Sequence, residues 1–177
     1  MDNKGLIHLY YGNGKGKTTA AIGLCIRASG CGKNVVFTQF LKNWNTGELA
    51  QLKLLPNITV LRGKMPGGTF VHEMTDEQRA QAKASHDEIL KQALELQKNG
   101  RCDMLVLDEC IDAYRLELLD HALFDDLLAN KPPELELVLT GHNPDPRHIA
   151  LADYVTEMVK HRHPYDAGVT ARRGVEF

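Results

Sequence analysis

The chain has 177 residues, of which 43% are hydrophobic and 25% charged, with a formal net charge of −2. This size and composition indicate one globular domain, residues 1–177, with enough apolar residues to bury a core. The charge balance lacks the basic excess of a duplex nucleic-acid binder, and no apolar run reaches membrane-spanning length. The four cysteines form no metal-binding or C-x-x-C spacing, and no long apolar segment follows Met1. We therefore expect free thiols and a cytoplasmic protein.

The first predicted strand, residues 6–11, leads into a glycine-rich loop that is followed by a helical pattern to about Ala28. Strand, glycine loop and helix in this order are typical of a phosphate-binding P-loop, in which backbone N–H groups and the helix N-terminus surround an anion. Nucleotide binding is the firmest prediction from the sequence. The predicted nucleotide-binding residues are Gly12, Asn13, Gly14, Lys15, Gly16, Lys17, Thr18 and Thr19.

Within this loop, Lys17 is predicted to reach a terminal phosphate and the Thr18 hydroxyl to reach Mg²⁺. The spacing departs from the standard pattern because Tyr11 stands where the first glycine is expected, and Gly12 comes one position late. Lys15 adds a second cation. A phosphate chain remains the best ligand, but its register in the loop is predicted to be unusual.

Residues 34–40 predict the second strand, which ends in the polar and aromatic residues Gln39, Lys42, Asn43 and Trp44. Ligands of open α/β sheets lie at the carboxyl ends of strands, so these residues are site candidates, although Trp44 is equally well explained as a packing aromatic. A short helix (47–55), a strand (58–61) and a glycine-rich loop (62–71) follow.

A long helix is predicted from Thr75, with Gln78 completing a capping box, to about Asn99. His86 on this helix is predicted to lie at the surface. The apolar residues with the spacing of a buried stripe are Ala82, Ile89, Ala93 and Leu96.

Residues 103–107 predict a buried strand with Asp108 and Glu109 at its carboxyl end, the Walker B arrangement. An acid at this place holds Mg²⁺ directly or through water, so Thr18, Asp108 and Glu109 are the predicted metal residues. The alternative is that the two acids only favour the N-terminus of a following helix.

The remaining pattern predicts a helix (116–130), a strand (135–139) with polar residues 140–143 at its end, a helix (144–152), a strand (154–159) and an extended polar tail. His161 and His163 in this tail are not interpreted as a metal pair. Strands that alternate with helices predict an α/β fold whose mainly parallel sheet has helices on both faces. The loops after the strands should then meet at one edge.

Together these motifs resemble the P-loop type of ATP:corrinoid adenosyltransferase of the bacterial cobalamin pathway. The resemblance covers nearly the whole chain. It is strongest in the loop 12–21, in Gln39-Phe40-Leu41-Lys42, Leu107-Asp108-Glu109 and Leu139-Thr140-Gly141, and in the tail from His163 to Phe177.

The resemblance implies a RecA-like P-loop fold, a homodimer and transfer of the 5′-deoxyadenosyl group of ATP to Co(I) of a corrinoid, with release of triphosphate. It also implies ATP phosphates that run backwards through the loop, and a flavoprotein is a candidate reductant. Lys15 and Lys17 would stabilise the leaving triphosphate as catalytic residues, and Glu109 would be the acid closer to Mg²⁺. The loop 62–71 and the tail are the predicted lids.

The sequence departs from the family in two places. The family's glycine followed by Phe-Thr-Trp corresponds here to Gly67-Gly68-Thr69-Phe70, without a tryptophan, and its Thr-Gly-Arg is Thr140-Gly141-His142. Two other functions remain open at this point: a P-loop ATPase or kinase that cleaves the β–γ bond, and a nucleotide-responsive corrinoid-binding protein without turnover. The physiological corrinoid (cobalamin, cobinamide or cobyrinic acid a,c-diamide) is not determined by the sequence.

Overall fold

The structure, a computed structural model, describes residues 4–42, 45–63 and 71–177. Its helices and strands alternate along the chain, and two short 3₁₀ turns lie at Val71–Glu73 and Pro164–Ala167. In chain order the elements are β1 Ile7–Tyr11, α1 Lys17–Gly30, β2 Val35–Gln39, α2 Gly47–Leu52, β3 Ile58–Arg62, α3 Asp76–Lys98, β4 Met104–Asp108, α4 Cys110–Arg115, α5 His121–Ala129, β5 Glu136–Thr140, α6 Pro146–Leu151 and β6 Tyr154–Glu157.

The strands form one six-stranded sheet in the order β3-β2-β4-β5-β1-β6, and every neighbouring pair is parallel. Because parallel strands share a direction, their carboxyl ends lie along one edge. The register pairs Gln39 with Asp108 and Tyr10 with Thr140 at that edge. The prediction of a parallel α/β sheet is confirmed, and the sheet brings the predicted site segments together.

Helices cover both faces of the sheet, as the sequence predicted. On one face, α1 and α2 pack on Val35 and Phe37 of β2. On the other face, α3, α4 and α5 pack on the alternate residues, such as Val36 of β2 and Leu105 of β4. The strand side chains alternate between two apolar layers, so each face has its own core and the central strands are buried on both sides.

Three predictions, one about burial and two about secondary structure, need correction. His86 of α3 is fully buried rather than at the surface. Its Nδ1 pairs with the Leu118 carbonyl at 2.8 Å, and its Nε2 accepts from the Leu41 N–H at 3.3 Å. The helix predicted over 116–130 begins only at His121, because Asp120 caps it by accepting from the Leu123 N–H. The tail predicted as extended contains a 3₁₀ turn at Pro164–Ala167.

Other expectations are confirmed or lie outside the described residues. Thr75 and Gln78 form the predicted capping box, and the cysteines are free. Asn43, Trp44 and most of the glycine-rich loop, including Gly67 to Phe70, fall in the part of the chain that the structure does not describe. Within the described residues, no helix has the length and apolar character needed to cross a membrane.

Candidate active site

The glycine-rich loop after β1 is hydrogen-bonded to two neighbouring segments, the loop that follows β5 and the chain that follows β6. The Gly12 N–H donates to the His142 carbonyl at 3.1 Å, and the Gly14 N–H donates to the Met158 carbonyl at 2.6 Å. Lys17 Nζ donates to the carbonyls of Gly12 (2.8 Å) and Gly14 (3.0 Å). The Gly14 N–H is therefore already used within the protein. The N–H groups that begin α1 have no partner within the helix, which makes them the donors for an anion.

The glycines of this loop are required by close packing against the chain that continues from β6. A Cβ atom on Gly12 or on Gly14 would lie 2.6 Å from the Met158 carbonyl oxygen, and Gly12 also has a positive φ of 107°. Any other residue would have to displace backbone at both positions. This contact explains a glycine at position 12 without reference to the standard P-loop spacing.

A buried carboxylate lies behind the loop, at the carboxyl end of β4. Asp108 is fully buried, and each of its oxygens accepts two hydrogen bonds. Oδ1 accepts from the hydroxyls of Thr18 and Thr140, both at 2.8 Å, and Oδ2 accepts from Lys42 Nζ (3.1 Å) and Gln39 Nε2 (3.2 Å). With its acceptor positions occupied, Asp108 fixes the orientation of Thr18 and Lys42.

Glu109 differs from its neighbour because its carboxylate faces the cavity. Its backbone has a φ of 64°, in the left-handed region, where it caps α4, and its N–H donates to the Thr140 hydroxyl at 2.8 Å. Burial and the adjacent Asp108 raise the pKa of Glu109, although Lys42 Nζ, 3.8 Å from Oε1, opposes the rise. A cation in the cavity would favour the ionised form.

A hydrogen-bonded pair of an aspartate and a histidine lies beside Glu109. Asp112 of α4 accepts on Oδ2 from both the backbone N–H and the ring Nδ1 of His142, each at 2.9 Å. One carboxylate oxygen therefore fixes both the backbone and the ring of His142. A ligand atom from each of Glu109, Asp112 and His142 lies within 4.8 Å of the other two.

These groups line a cavity of about 670 Å³, within the usual size range of small-molecule sites. The lining includes the glycine loop with Lys15 and Lys17, and also the tail segment 174–177. Lys15 Nζ donates to the Val175 carbonyl at 3.3 Å and lies 3.9 Å from Glu176. The tail thus forms part of the cavity wall.

The structure brings together most of the site residues that the sequence predicted. Loop residues 13–19, Lys42 and Glu109 line the cavity, while Gln39 and Asp108 lie directly behind it. Asn143 instead lines a smaller separate cavity between α4 and α6.

Sequence reasoning missed Asp112 and gave His142 and Thr140 no chemical role. Asp112 has no signal in the sequence, because it lies one helical turn after the Walker B acids and its partner is 30 residues away. Thr140 and His142 were predicted only to lie at the shared sheet edge.

The donor set suits Mg²⁺, which prefers hydroxyl and carboxylate oxygens. The Thr18 hydroxyl, oriented by Asp108, and the Glu109 carboxylate are available on the cavity side. Gln39 Oε1 is also buried without a hydrogen-bond partner among the described residues, so this polar layer retains a spare acceptor. The residues present therefore fit a magnesium ion.

Comparisons with known proteins identify the family to which the chain belongs. The chain matches the family described as ATP:corrinoid adenosyltransferase BtuR/CobO/CobP over residues 3–177. It is 37% identical to the corrinoid adenosyltransferase of Pseudomonas aeruginosa, over 99% of this chain and 85% of that protein. It is 32% identical to the corrinoid adenosyltransferase of Escherichia coli K12, over 100% of this chain and 88% of that protein.

One solved structure, the cytoplasmic domain of EssC, aligns with a TM-score of 0.54 at 16% identity. The alignment covers 96% of this chain and 36% of the EssC chain, and at this identity it supports the fold alone. The glycine loop, the buried Asp108 layer and a family match that spans almost every residue lead to one assignment: the chain is a member of the ATP:corrinoid adenosyltransferase family.

Proposed function

We propose that this chain transfers the 5′-deoxyadenosyl group of ATP to Co(I) of a reduced corrinoid and releases inorganic triphosphate. The observation that carries the proposal is one cavity lined by Lys15 and Lys17 of the glycine loop, by Glu109 and by Thr18, whose hydroxyl is held by Asp108. Family membership favours this function over a β–γ-cleaving ATPase or a corrinoid-binding protein without turnover.

The reaction is a substitution at carbon. The Co(I) electron pair attacks C5′, the C5′–O bond breaks, and its electron pair leaves with the triphosphate while cobalt becomes Co(III). Because Co(I) is a strong nucleophile, no protein base is required. The protein has to place C5′ in line with cobalt and to stabilise the charge on the leaving group. Lys15, Lys17 and the N–H groups at the start of α1, which lie along the cavity, are the groups that we propose for that second task.

Mg²⁺, when bound, would neutralise part of the triphosphate charge. The Thr18 hydroxyl and the Glu109 carboxylate are the proposed direct ligands. Asp108 acts through Thr18 or through a water molecule, because its oxygens already accept from Thr18, Thr140, Gln39 and Lys42. Lys42 bridges the two acids and limits their mutual repulsion.

The finer parts of the proposal follow from the family resemblance. We also propose that the whole chain acts as one nucleotide-binding domain, since all strands among the described residues belong to one sheet. A homodimer is the proposed assembly, and a flavoprotein is the proposed source of electrons for Co(I). Sedimentation of the purified protein tests the assembly, and a monomer at micromolar concentration would contradict it.

The decisive experiment mixes the protein with ATP, Mg²⁺ and chemically reduced cobalamin under anaerobic conditions. We expect the visible spectrum of the alkylated corrinoid and one inorganic triphosphate for each turnover, detected by phosphorus NMR. ADP and phosphate as the primary products would contradict the proposal, as would binding without a spectral change. A panel of corrinoids with and without a lower ligand then identifies the substrate class.

A further inference from the structure

His142 lies on the cavity wall, and one of its ring nitrogens, Nδ1, is already hydrogen-bonded to Asp112. The contact of Nδ1 and of the backbone N–H with Asp112 Oδ2 fixes the ring, and Asp112 itself is only 7% exposed. The His142 side chain is 46% exposed and lines the same cavity as Lys17 and Glu109. The ring edge that carries Nε2 is therefore the free edge.

The position of His142 is coupled directly to the phosphate loop. Its carbonyl accepts from the Gly12 N–H at 3.1 Å, so the loop after β5 is hydrogen-bonded to the first residue of the glycine loop. Gly141 makes this approach possible: its φ is 157°, and a Cβ there would lie 2.5 Å from Ile111 Cβ and 2.9 Å from Asp112 Oδ2.

The groups around His142 have charges of both signs: Lys17 lines the same cavity, and a carboxylate oxygen of Glu109 lies within 4.8 Å of a ring nitrogen of His142. The hydrogen bond with Asp112 raises the pKa of His142, an effect that burial and the Lys17 charge oppose. In the cationic ring both nitrogens donate, so Nε2 can donate to an oxyanion while Nδ1 stays on Asp112. Lys17 on the same wall is the predicted phosphate ligand.

On this basis we infer that His142, held by Asp112, is a further catalytic residue whose Nε2 contacts the triphosphate as it leaves. Asp112 is the positioning residue that acts through His142. This inference rests on the proposed function and adds to it a contact at the leaving group. A hydrogen bond to a charged group is usually worth about tenfold to a hundredfold in binding.

The test uses two variants that separate the Nδ1 contact with Asp112 from the contact proposed for Nε2. His142→Asn places an amide nitrogen near the position of Nδ1, so it keeps the Asp112 contact and loses Nε2. His142→Arg restores a cation that reaches the cavity. His161→Asn is the matched control, because His161 is an exposed tail residue outside the cavity lining.

Binding of inorganic triphosphate with Mg²⁺, and separately of adenosine, is measured by calorimetry. We expect His142→Asn to weaken triphosphate binding about tenfold or more with adenosine binding unchanged, and His142→Arg to recover most of the loss. In turnover, kcat should fall more than KM for ATP rises, because the contact strengthens as the C5′–O bond breaks. Asp112→Asn should add little in the His142→Asn background.

Wild-type triphosphate affinity and kcat in His142→Asn would overturn the inference. An equal loss of triphosphate binding, adenosine binding and thermal stability would also overturn it, because that pattern marks a structural role. The wild-type adenosylation assay tests the proposed function separately, since triphosphate binding needs no corrinoid.

Discussion

Two walls of the same cavity are built in opposite ways. The wall at the carboxyl ends of β1, β2, β4 and β5 consists of the glycine loop, backed by a buried polar layer in which Asp108 is saturated with hydrogen bonds. The wall formed by the tail is exposed, and Glu176 is held mainly by Arg172 and by the nearby Lys15. The first wall is preformed for phosphate, since its groups are fixed before any ligand binds. The second depends on surface ion pairs, which are individually weak.

The largest expected effect comes from the preformed wall. Lys17→Ala removes one of the cations that line the cavity and leaves the carbonyls of Gly12 and Gly14 without their donor. We expect a loss of about a hundredfold to a thousandfold in kcat/KM with the fold retained by circular dichroism. Lys53→Ala, at an exposed lysine outside the cavity lining, should behave as wild type. Full turnover by Lys17→Ala would remove the assignment of this site.

Asp108→Asn tests whether the buried layer is a stability element as well as a site. The new amide group would face donors from Thr18, Thr140, Gln39 and Lys42. We expect a loss of about 3 kcal/mol in the free energy of unfolding, measured in urea, together with weaker MgATP binding. Asp126→Asn, an exposed aspartate on α5, is the control and should change stability by less than about 0.5 kcal/mol.

The pH dependence of stability tests whether His86 is buried in its neutral form, with its ring held by Leu41 and Leu118. Burial lowers the pKa of His86 from its ordinary value of 6.5. The unfolded chain therefore binds a proton below pH 6.5 that the folded chain does not, so this contribution is complete above that pH and is lost as pH falls. The wild type should lose up to about 1.4 kcal/mol per pH unit more than His86→Gln between pH 6.5 and 5. Equal slopes in urea unfolding would contradict a buried neutral His86.

The smallest effect is expected at the exposed wall. Contact with Arg172 lowers the pKa of Glu176 to about 2, so its carboxylate is charged and competes with phosphate for Lys15. Glu176→Gln should tighten ATP binding about two- to fivefold, by calorimetry at low salt. The control is Glu134→Gln, an exposed glutamate that does not line the cavity. Weaker binding by Glu176→Gln would mean that the tail carboxylate helps to hold the nucleotide complex.

The sequence predicted those parts of the site that depend on local order. A strand followed by the glycine loop, and a buried strand followed by two acids, specify both the elements and their place at one sheet edge. The continuous apolar run of β4 also predicted a core on both faces of the sheet, because a strand that is apolar at every position is buried on both sides. The family resemblance in the tail pointed to corrinoid chemistry, and the family match confirmed it.

What the sequence could not predict depends on contacts between distant residues. His86 was expected at the surface because nothing near it in the sequence shows that its ring has hydrogen-bond partners. In the structure these partners are the Leu118 carbonyl and the Leu41 N–H, which are distant in the chain. The pairing of Asp112 with His142 likewise exists only once β5 lies beside α4. The different roles of Asp108 and Glu109 follow from burial, which adjacent residues do not reveal.

The left-handed backbone at Glu109 has a consequence for engineering heat-resistant variants. A non-glycine residue with φ of 64° stores strain of about 1 kcal/mol or more, which a glycine would relieve. Leu41, with φ of 57°, has the same backbone strain and no carboxylate. Glycine at position 41 would also lose apolar packing, because the Leu41 side chain packs against the core. A screen that selects only for a higher melting temperature would therefore favour glycine at position 109, where the more stable protein would lack the acid proposed to hold magnesium.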